Sequence, residues 1–329
     1  MAKQLKLGEV IGEAAPLKGG ALHSMFKFKT SSGDYAIKHL NPHITEKKNF
    51  QKAYELSETI AKQMLQAQIP AVCSLSFEGN HVIQIEKDYF IIYPFIEGTI
   101  VHDHNLTSEH AERIGSLYAS MHRMDLKLSS VDKANYDYFD DTYWETLIRK
   151  AQHPFLIELL PSIIHWNQLY ALSIPELNKE LVITHRDMHA QNVLWDKENN
   201  PQIVDWESAG LMNPMLEVIG YGLEWSGIIL HQKVRSSFFK TLITSYFQNI
   251  GHSWHTTPEQ AFTGWLGQCV LAWTEFNIRR MIGEVSSNDS EIVKGQEIIE
   301  KKMIPCLNFI KENEQDLILL IEQNRAKLP

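Results

Sequence analysis

The stretch ITHRDMHAQNVLWD, residues 183–196, sets His185, Asp187, His189 and Asn192 within eight positions. A core segment has no need of so many polar groups in so short a space. A solvated loop, a pair of structural histidines and an H-x-D-x-H metal cluster all fit these residues alone. The continuation narrows the choice. QIVDW, residues 202–206, reads as a short apolar strand, and the turn cluster DKENNPQ separates it from NVLW, residues 192–195. Two short strands around such a cluster read as a hairpin, which brings Asp205 close to Asn192. Two hard oxygen ligands then sit side by side, with Asp187 a few residues upstream. That donor set suits Mg²⁺, which keeps several waters and completes its shell with substrate phosphates. Asp187 is left to orient a hydroxyl nucleophile. An ordinary aspartate is a weak base, and phosphoryl transfer asks it to take the proton only late.

The upstream half carries a second part of the pattern. YAIKHL places Lys38 inside a strand, between Ile37 and His39. A helix follows that contains Glu55 and Glu58. A lone strand lysine is ordinarily a solvated edge residue; paired with a helical glutamate, its ammonium is held where α- and β-phosphates can meet it.

Composition bounds the protein class. The chain has 329 residues, 44% hydrophobic and 22% charged, which is globular composition with ample length for a core. Its net charge of −9 makes it a poor generic partner for nucleic acid or anionic lipid. The acidic balance is compatible with a cationic small substrate. Cys73, Cys269 and Cys306 are odd in number and far apart, so neither a disulfide framework nor a zinc spacing is expected. MAKQLKLGEVIGEAAP, the first sixteen residues, has no apolar core of a signal peptide, and no apolar run reaches the length of a membrane span. A cytoplasmic protein with no membrane or nucleic-acid partner is expected.

ALHSMFKFKT and DYAIKHL, joined by SSGD, read as a hairpin. Residues 47–67 read as a helix. Ala53, Leu56, Ile60 and Met64 form one apolar row, Tyr54, Ala61 and Leu65 another, and Pro70 lies beyond its end. HVIQIE and YFIIYPFIEG follow as strands, the second ending or losing its pairing at Pro94. A boundary is expected near residues 94–98. Beyond it the chain is mainly helical, with Thr107 or Ser108 capping a helix that carries Ile114, Leu117, Tyr118 and Met121 on one face. LVIT, NVLW and QIVDW interrupt as strands, and everything after Pro214 reads as helix.

HRDMHAQN and IVDWE, with AIK and a helical glutamate upstream, resemble the aminoglycoside phosphotransferase and choline kinase-like family. The resemblance covers roughly residues 17–217, about two-thirds of the chain. It implies an α+β, two-lobed protein kinase-like fold. Residues 1–97 would be a nucleotide-binding lobe with an antiparallel sheet and a helix, and 98–329 a mainly helical catalytic and substrate-binding lobe. By the same resemblance Asp187 is the catalytic base, Asn192 and Asp205 hold Mg²⁺, and Lys38 binds phosphate. Its partner is Glu58, with Glu55 the alternative, and His185 braces the catalytic loop. His189, Trp206 and Glu207 also fit the pattern. YPFIEG resembles the hinge, where the purine bonds the Pro94 carbonyl and the Ile96 N–H. Tyr93 guards the back of the purine pocket, where a bulky aromatic favours GTP in some gentamicin-modifying relatives. ATP is the expected co-substrate, with GTP open.

The departures are specific. Arg186 stands where the family usually has glycine. The phosphate-covering loop, near PLKGGALHSMF, lacks G-x-G-x-x-G, leaving the Gly19–Ser24 backbone, with Gly19 and Gly20, to cap phosphates. Glu217 replaces a common aspartate, and a structural role near the catalytic loop is expected of it. In the helical tail, Glu224, Trp225, Trp254, Trp265, Trp273 and Glu275 read either as core aromatics or as a site for a cationic substrate. The pairs His102/His104 and His252/His255 show no third metal ligand. The expected activity is transfer of a γ-phosphoryl group to a hydroxyl of a small molecule. An aminoglycoside-like antibiotic leads. A metabolic kinase for choline, a sugar or a similar alcohol is the alternative, and a protein kinase or a nucleotide-binding pseudokinase are further rivals. A monomer or weak dimer is expected.

Overall fold

The computed structural model describes residues 5–17, 22–124, 126–128, 131, 134, 136 and 138–325. In chain order the elements are β1 (Ala15–Leu17), β2 (Ser24–Thr30), β3 (Gly33–His39), α1 (Pro42–Thr45), α2 (Phe50–Gln66), β4 (Ile83–Ile85), β5 (Asp88–Pro94) and β6 (Thr99–Ile100). There follow α3 (Ser108–His122), α4 (Asp141–Ala151), α5 (Pro154–Leu177), β7 (Val182–Thr184), β8 (Val193–Trp195), β9 (Pro201–Ile203) and β10 (Gly210–Met212). The rest is helical: α6 (Pro214–Trp225), α7 (Ile228–His231), α8 (Ser236–Ile250), α9 (Pro258–Trp265), α10 (Ala272–Met281), α11 (Asp289–Ile298) and α12 (Ile304–Arg325). Two π-helical stretches, Leu266–Leu271 and Ile299–Met303, join α9 to α10 and α11 to α12.

Two compact units result. One comprises Met1–Val101, Leu128–Val131 and His185–Gly210; the other comprises His102–Lys127, Asp132–Thr184 and Leu211–Pro329. In the first, the strand order β1-β2-β3-β5-β4 forms one antiparallel sheet. The SSGD hairpin forms as expected, with Thr30 opposite Gly33. Lys38 lies opposite Met25 and Ile91, in the middle of the sheet rather than on its edge. Strand β5 ends at Pro94, where an end was expected, but the residue keeps its pairing. Pro94 pairs with Tyr35, and the next ladder bond runs from Phe95 N to Asp34 O at 3.0 Å. The tyrosine–proline pair therefore falls at a position that needs no proline N–H. The same unit holds the small sheet β6-β8-β9, so the segment His185–Gly210 packs with the N-terminal sheet unit.

On α2 the apolar rows are only half of the buried face. Tyr54, Ser57, Glu58, Ile60, Ala61 and Met64 are buried, whereas Ala53 and Leu65 are exposed. The face turns because two polar residues on it find internal hydrogen bonds, which removes the cost of burying them. Past the helix, Pro70 O accepts from Ile203 N at 2.7 Å and Val72 N donates to Ile203 O at 2.8 Å, tying the end of β9 to the α2 segment.

The second unit is a helical core with the two-stranded sheet of β7 and β10. Thr107 is the N-cap of α3, and its N–H donates to His110 Nδ1 at 3.0 Å. Trp225 and Trp265 are essentially buried, in keeping with the core reading of the tail aromatics. Trp265 Nε1 donates to Glu224 at 2.9 Å, and Glu275 accepts from the Tyr143 hydroxyl. None of the three cysteines is in a disulfide. No helix among the described residues is long and apolar enough to cross a membrane.

Candidate active site

Strand β7 runs into the loop that opens with His185. This ring is fully buried, lies against Trp206 edge to face, and donates from Nε2 to Val204 O at 3.0 Å. Its Nδ1 accepts from Asp187 N at 3.2 Å, so one imidazole ties both ends of the loop. The residue before Asp187, and Asp205 itself, are unusual. Arg186 has φ 66° and Asp205 has φ 63°, left-handed conformations that side-chain-bearing residues seldom adopt. Such outliers cluster at functional sites because the surroundings must over-determine them.

Asp187 presents its carboxylate at 40% exposure. Asn192 Nδ2 donates to Asp187 O at 2.9 Å and to Oδ2 at 3.1 Å, and His189 Nε2 lies 3.6 Å from Oδ1. The asparagine amide is thus turned with its nitrogen on the aspartate, which leaves Oδ1 as its free ligand atom. The hairpin that follows is in register as Val193 opposite Ile203, and Val204 N donates to Asn192 O at 3.0 Å. These bonds set Asp205 beside the asparagine segment, as the sequence implies.

Lys38 reaches this segment from β3. Its Nζ donates to Asp205 Oδ1 at 2.6 Å and to Glu207 Oε2 at 2.9 Å, with the lysine side chain 6% exposed. Burial works against the ammonium, but the two carboxylates outweigh it and hold Lys38 well above its ordinary value. Burial likewise works against the Glu207 carboxylate, but the Lys38 charge and a hydrogen bond from His23 depress it to about 2.

One expected contact is absent. Glu58 does not pair with Lys38. Glu58 Oε1 accepts from the Tyr93 hydroxyl at 2.6 Å and Oε2 from Ser74 N at 2.9 Å. The alternative, Glu55, caps the start of the next segment, accepting from His81 N at 2.7 Å and Val82 N at 2.8 Å. Both glutamates reach backbone N–H groups that would otherwise lack partners, while Lys38 already has two acids from the Asp205 segment. Glu207 fitted the motif, but its hold on Lys38 was not legible from spacing. His23 and Tyr54, which contact Glu207, carried no motif at all.

Tyr93 follows Ile92 on β5 and pairs with Ala36. Burial and the Glu58 carboxylate push its phenol well above its ordinary value, so it remains a donor. Pro94 closes the strand, and Ile96 lies just past it in the non-regular stretch before β6. Lys27 stacks over the Phe95 ring at 3.7 Å and pairs with Asp34 at 2.9 Å, covering this turn. Gly19 and Gly20 lie outside the described residues.

Asn192 Oδ1 and Asp205 Oδ2 are the hard oxygens free for a cation. The donor set fits Mg²⁺ with phosphate and water completing the shell. Among the described residues no group of three or more His, Cys, Asp or Glu is arranged to hold a metal, so the histidine pairs give no such site. His102 and His104 merely stack, while His252 packs on Trp254 and His255 pairs with Glu180.

In the second unit Glu217 is fully buried. It accepts from Thr184 Oγ1 at 2.6 Å and His122 Nε2 at 2.7 Å, bracing the strand that leads into the loop. Between Asp205 and Pro214 the chain makes only a 3-10 turn, Trp206–Ser208, and β10, leaving no span for a long activation segment.

An antiparallel sheet with one long helix, a polar loop–hairpin and a mostly helical remainder define a protein kinase-like fold. The sequence matches the phosphotransferase enzyme family over residues 13–255, and the chain belongs to that family. No curated protein matches it. Among solved structures, it is similar to a spectinomycin phosphotransferase in complex with ADP and spectinomycin. The identity is 16%, with 98% of this chain and 97% of that chain covered and a TM-score of 0.66. It is also similar to an ethanolamine kinase of Plasmodium vivax, at 15% identity, 93% and 83% coverage and TM-score 0.60. A choline kinase of Cryptosporidium parvum matches at 13% identity, 94% and 92% coverage and TM-score 0.58.

Proposed function

We propose that the protein is a small-molecule kinase that transfers the γ-phosphoryl group of ATP, with GTP as the alternative donor, to an acceptor hydroxyl. The observation that carries this reading is the Asp187–Asn192 pair. A carboxylate open to solvent has one oxygen fixed by an asparagine whose own oxygen stays free. Asp187 would orient the acceptor hydroxyl and take its proton as the P–O bond forms, with positioning doing most of the catalytic work. Lys38, buried and charged, would meet the α- and β-phosphates. Asn192 and Asp205 would hold Mg²⁺, which when bound neutralises charge on the transferring phosphates. His185 holds the loop from behind. Pro94 O and Ile96 N would read the purine edge, with Tyr93 behind it and the backbone of Gly19 and Gly20 over the phosphates. Residues 1–97 would be the nucleotide-binding lobe and 98–329 the catalytic and substrate-binding lobe, with the segment His185–Gly210 packed in the compact unit of the N-terminal sheet.

The leading acceptor class is an aminoglycoside-like antibiotic, in line with the spectinomycin bound by the similar phosphotransferase and with the acidic chain. A role in antibiotic resistance, in a cytoplasmic monomer or weak dimer, is the proposal that goes with that class. Choline or a related amino alcohol is the second class, as named for the other two neighbours. The short passage from Asp205 to α6 weighs against a protein substrate, and the presence of Lys38, Asp187, Asn192 and Asp205 weighs against a pseudokinase. The test is nucleotide turnover with Mg²⁺ and ATP or GTP against a panel of aminoglycosides, spectinomycin, choline, ethanolamine and simple sugars. Acceptor-dependent release of ADP or GDP with one class supports the reading and names the class. Tight nucleotide binding with no turnover on any acceptor favours the pseudokinase.

A further inference from the structure

Lys38 needs an acid to hold it, and the chain offers two glutamates with different commitments. Both oxygens of Glu58 are occupied, by the Tyr93 hydroxyl at 2.6 Å and Ser74 N at 2.9 Å. The residue is buried, 2% exposed. Glu207 is the glutamate on Lys38, and it is itself fixed. Asn41 N donates to His23 Nδ1 at 3.0 Å, so the neutral ring carries its proton on Nε2. That nitrogen lies 2.8 Å from the Tyr54 hydroxyl and 3.3 Å from Glu207 Oε2, and Tyr54 lies 3.5 Å from the same oxygen. His23 sits just before β2, Tyr54 on α2 and Lys38 on β3, so three elements converge on one carboxylate oxygen.

We infer that Glu207 is the positioning residue of Lys38, held by His23 and Tyr54, and that Glu58 is instead the positioning residue of Tyr93 at the end of β5. The inference rests on the nucleotide-binding reading above, in which Lys38 meets the phosphates and Tyr93 the purine. It divides the site into two hydrogen-bonded units. Lys38, Asp205, Glu207, His23 and Tyr54 form the first. Glu58, Tyr93 and Ser74 form the second. Substitutions within one unit remove the same interaction and saturate, whereas substitutions in different units combine.

The experiment is a set of double-mutant cycles on the full chain, reading MgATP and MgGTP affinity by calorimetry. Lys38→Met and Glu207→Gln should each weaken MgATP by on the order of tenfold, with the double variant no more than about twofold below the weaker single. Glu58→Gln and Tyr93→Phe should shift the MgATP-to-MgGTP affinity ratio by the same factor, and together no further. Lys38→Met combined with Glu58→Gln should multiply. The reverse pattern, with Lys38→Met and Glu58→Gln saturating and Glu207→Gln independent, overturns the inference. Thermal unfolding of the same variants without nucleotide reads the pairings directly. Additive Tm shifts for Glu58→Gln with Tyr93→Phe, or for Lys38→Met with Glu207→Gln, overturn the pairing itself. A wild-type chain that binds neither nucleotide while both Tm couplings persist overturns the reading on which the inference rests.

Discussion

Glu207 and Glu217 stand on one short stretch of chain, each accepting several hydrogen bonds through Oε2, yet their surroundings serve opposite ends. Glu207 is 22% exposed, faces a buried ammonium and shares it with Asp205. Beside it lie Asn192, Asp205 and the Asp187 carboxylate, which is 40% exposed. Glu217 is sealed. Trp254 Nε1 donates to the Tyr246 hydroxyl at 2.7 Å, and that hydroxyl lies 2.9 Å from His122 Nδ1. The tyrosine proton then goes to Nδ1, which leaves the Nε2 proton for Glu217. Asn213, also sealed, caps α6 through Met215 N and Leu216 N while its Nδ2 donates to Leu177 O, Glu180 O and Thr256 Oγ1. A fully satisfied buried network rigidifies. A partly satisfied one, open to solvent, has capacity for a substrate. Acids alone do not make a site; unused ligand atoms do.

That contrast can be broken by substitution. Asp187→Ala should lower kcat by on the order of 10³-fold while nucleotide affinity and unfolding midpoint hold; wild-type turnover removes Asp187 from the chemistry. Glu217→Ala should do the opposite. It leaves Thr184 and His122 buried without their acceptor, a loss of about 3 kcal/mol in denaturant unfolding. A neutral result there would make the brace dispensable.

Much of this contrast was legible in the residues. Asp187, Asn192 and Asp205 are local, set by a loop and one tight hairpin, so spacing alone brings them together. Lys38 shows as a charge in a strand interior. The partner of Lys38 was not legible, because Glu55, Glu58 and Glu207 all lie within plausible reach and the outcome depends on side-chain directions across β3 and α2. The buried face of α2 rotates toward Ser57 and Glu58 for the same reason. Strands β1, β6 and β10 are two or three residues long and carry no period to read. The π-helical joints after α9 and α11 replace what reads as continuous helix.

Smaller effects are expected at Asp205, Glu207 and Tyr93. Asp205→Ala should weaken MgATP binding by on the order of tenfold and raise the Mg²⁺ concentration needed for half-maximal turnover; an unchanged Mg²⁺ titration would contradict its role as ligand. Acid titration probes the Glu207 pairing. Its carboxylate falls from an ordinary 4.5 to about 2 because the Lys38 charge and the His23 bond outweigh burial. A carboxylate depressed on folding stabilises the fold above its unfolded value, and that share is lost as pH falls from 4.5 through about 2. Glu207→Gln should therefore flatten the acid loss of stability across that window, followed by tryptophan fluorescence; an unaltered slope would mean the pairing does not stabilise the fold. The smallest effect is expected of Tyr93→Ala, which should relax the ATP-to-GTP preference by roughly fivefold, a change read from kcat/KM for the two donors. No movement would mean that Tyr93 does not limit the purine pocket.

The proposed phosphoryl transfer rests on the open polar segment around Asp187. The most direct measurement is acceptor-dependent turnover at saturating MgATP and MgGTP, run side by side on the wild type and Asp187→Ala. Turnover by the wild type that collapses in the variant, with nucleotide still bound by both, is the predicted result. Equal turnover by the two, or none by a wild type that binds no nucleotide, would contradict it.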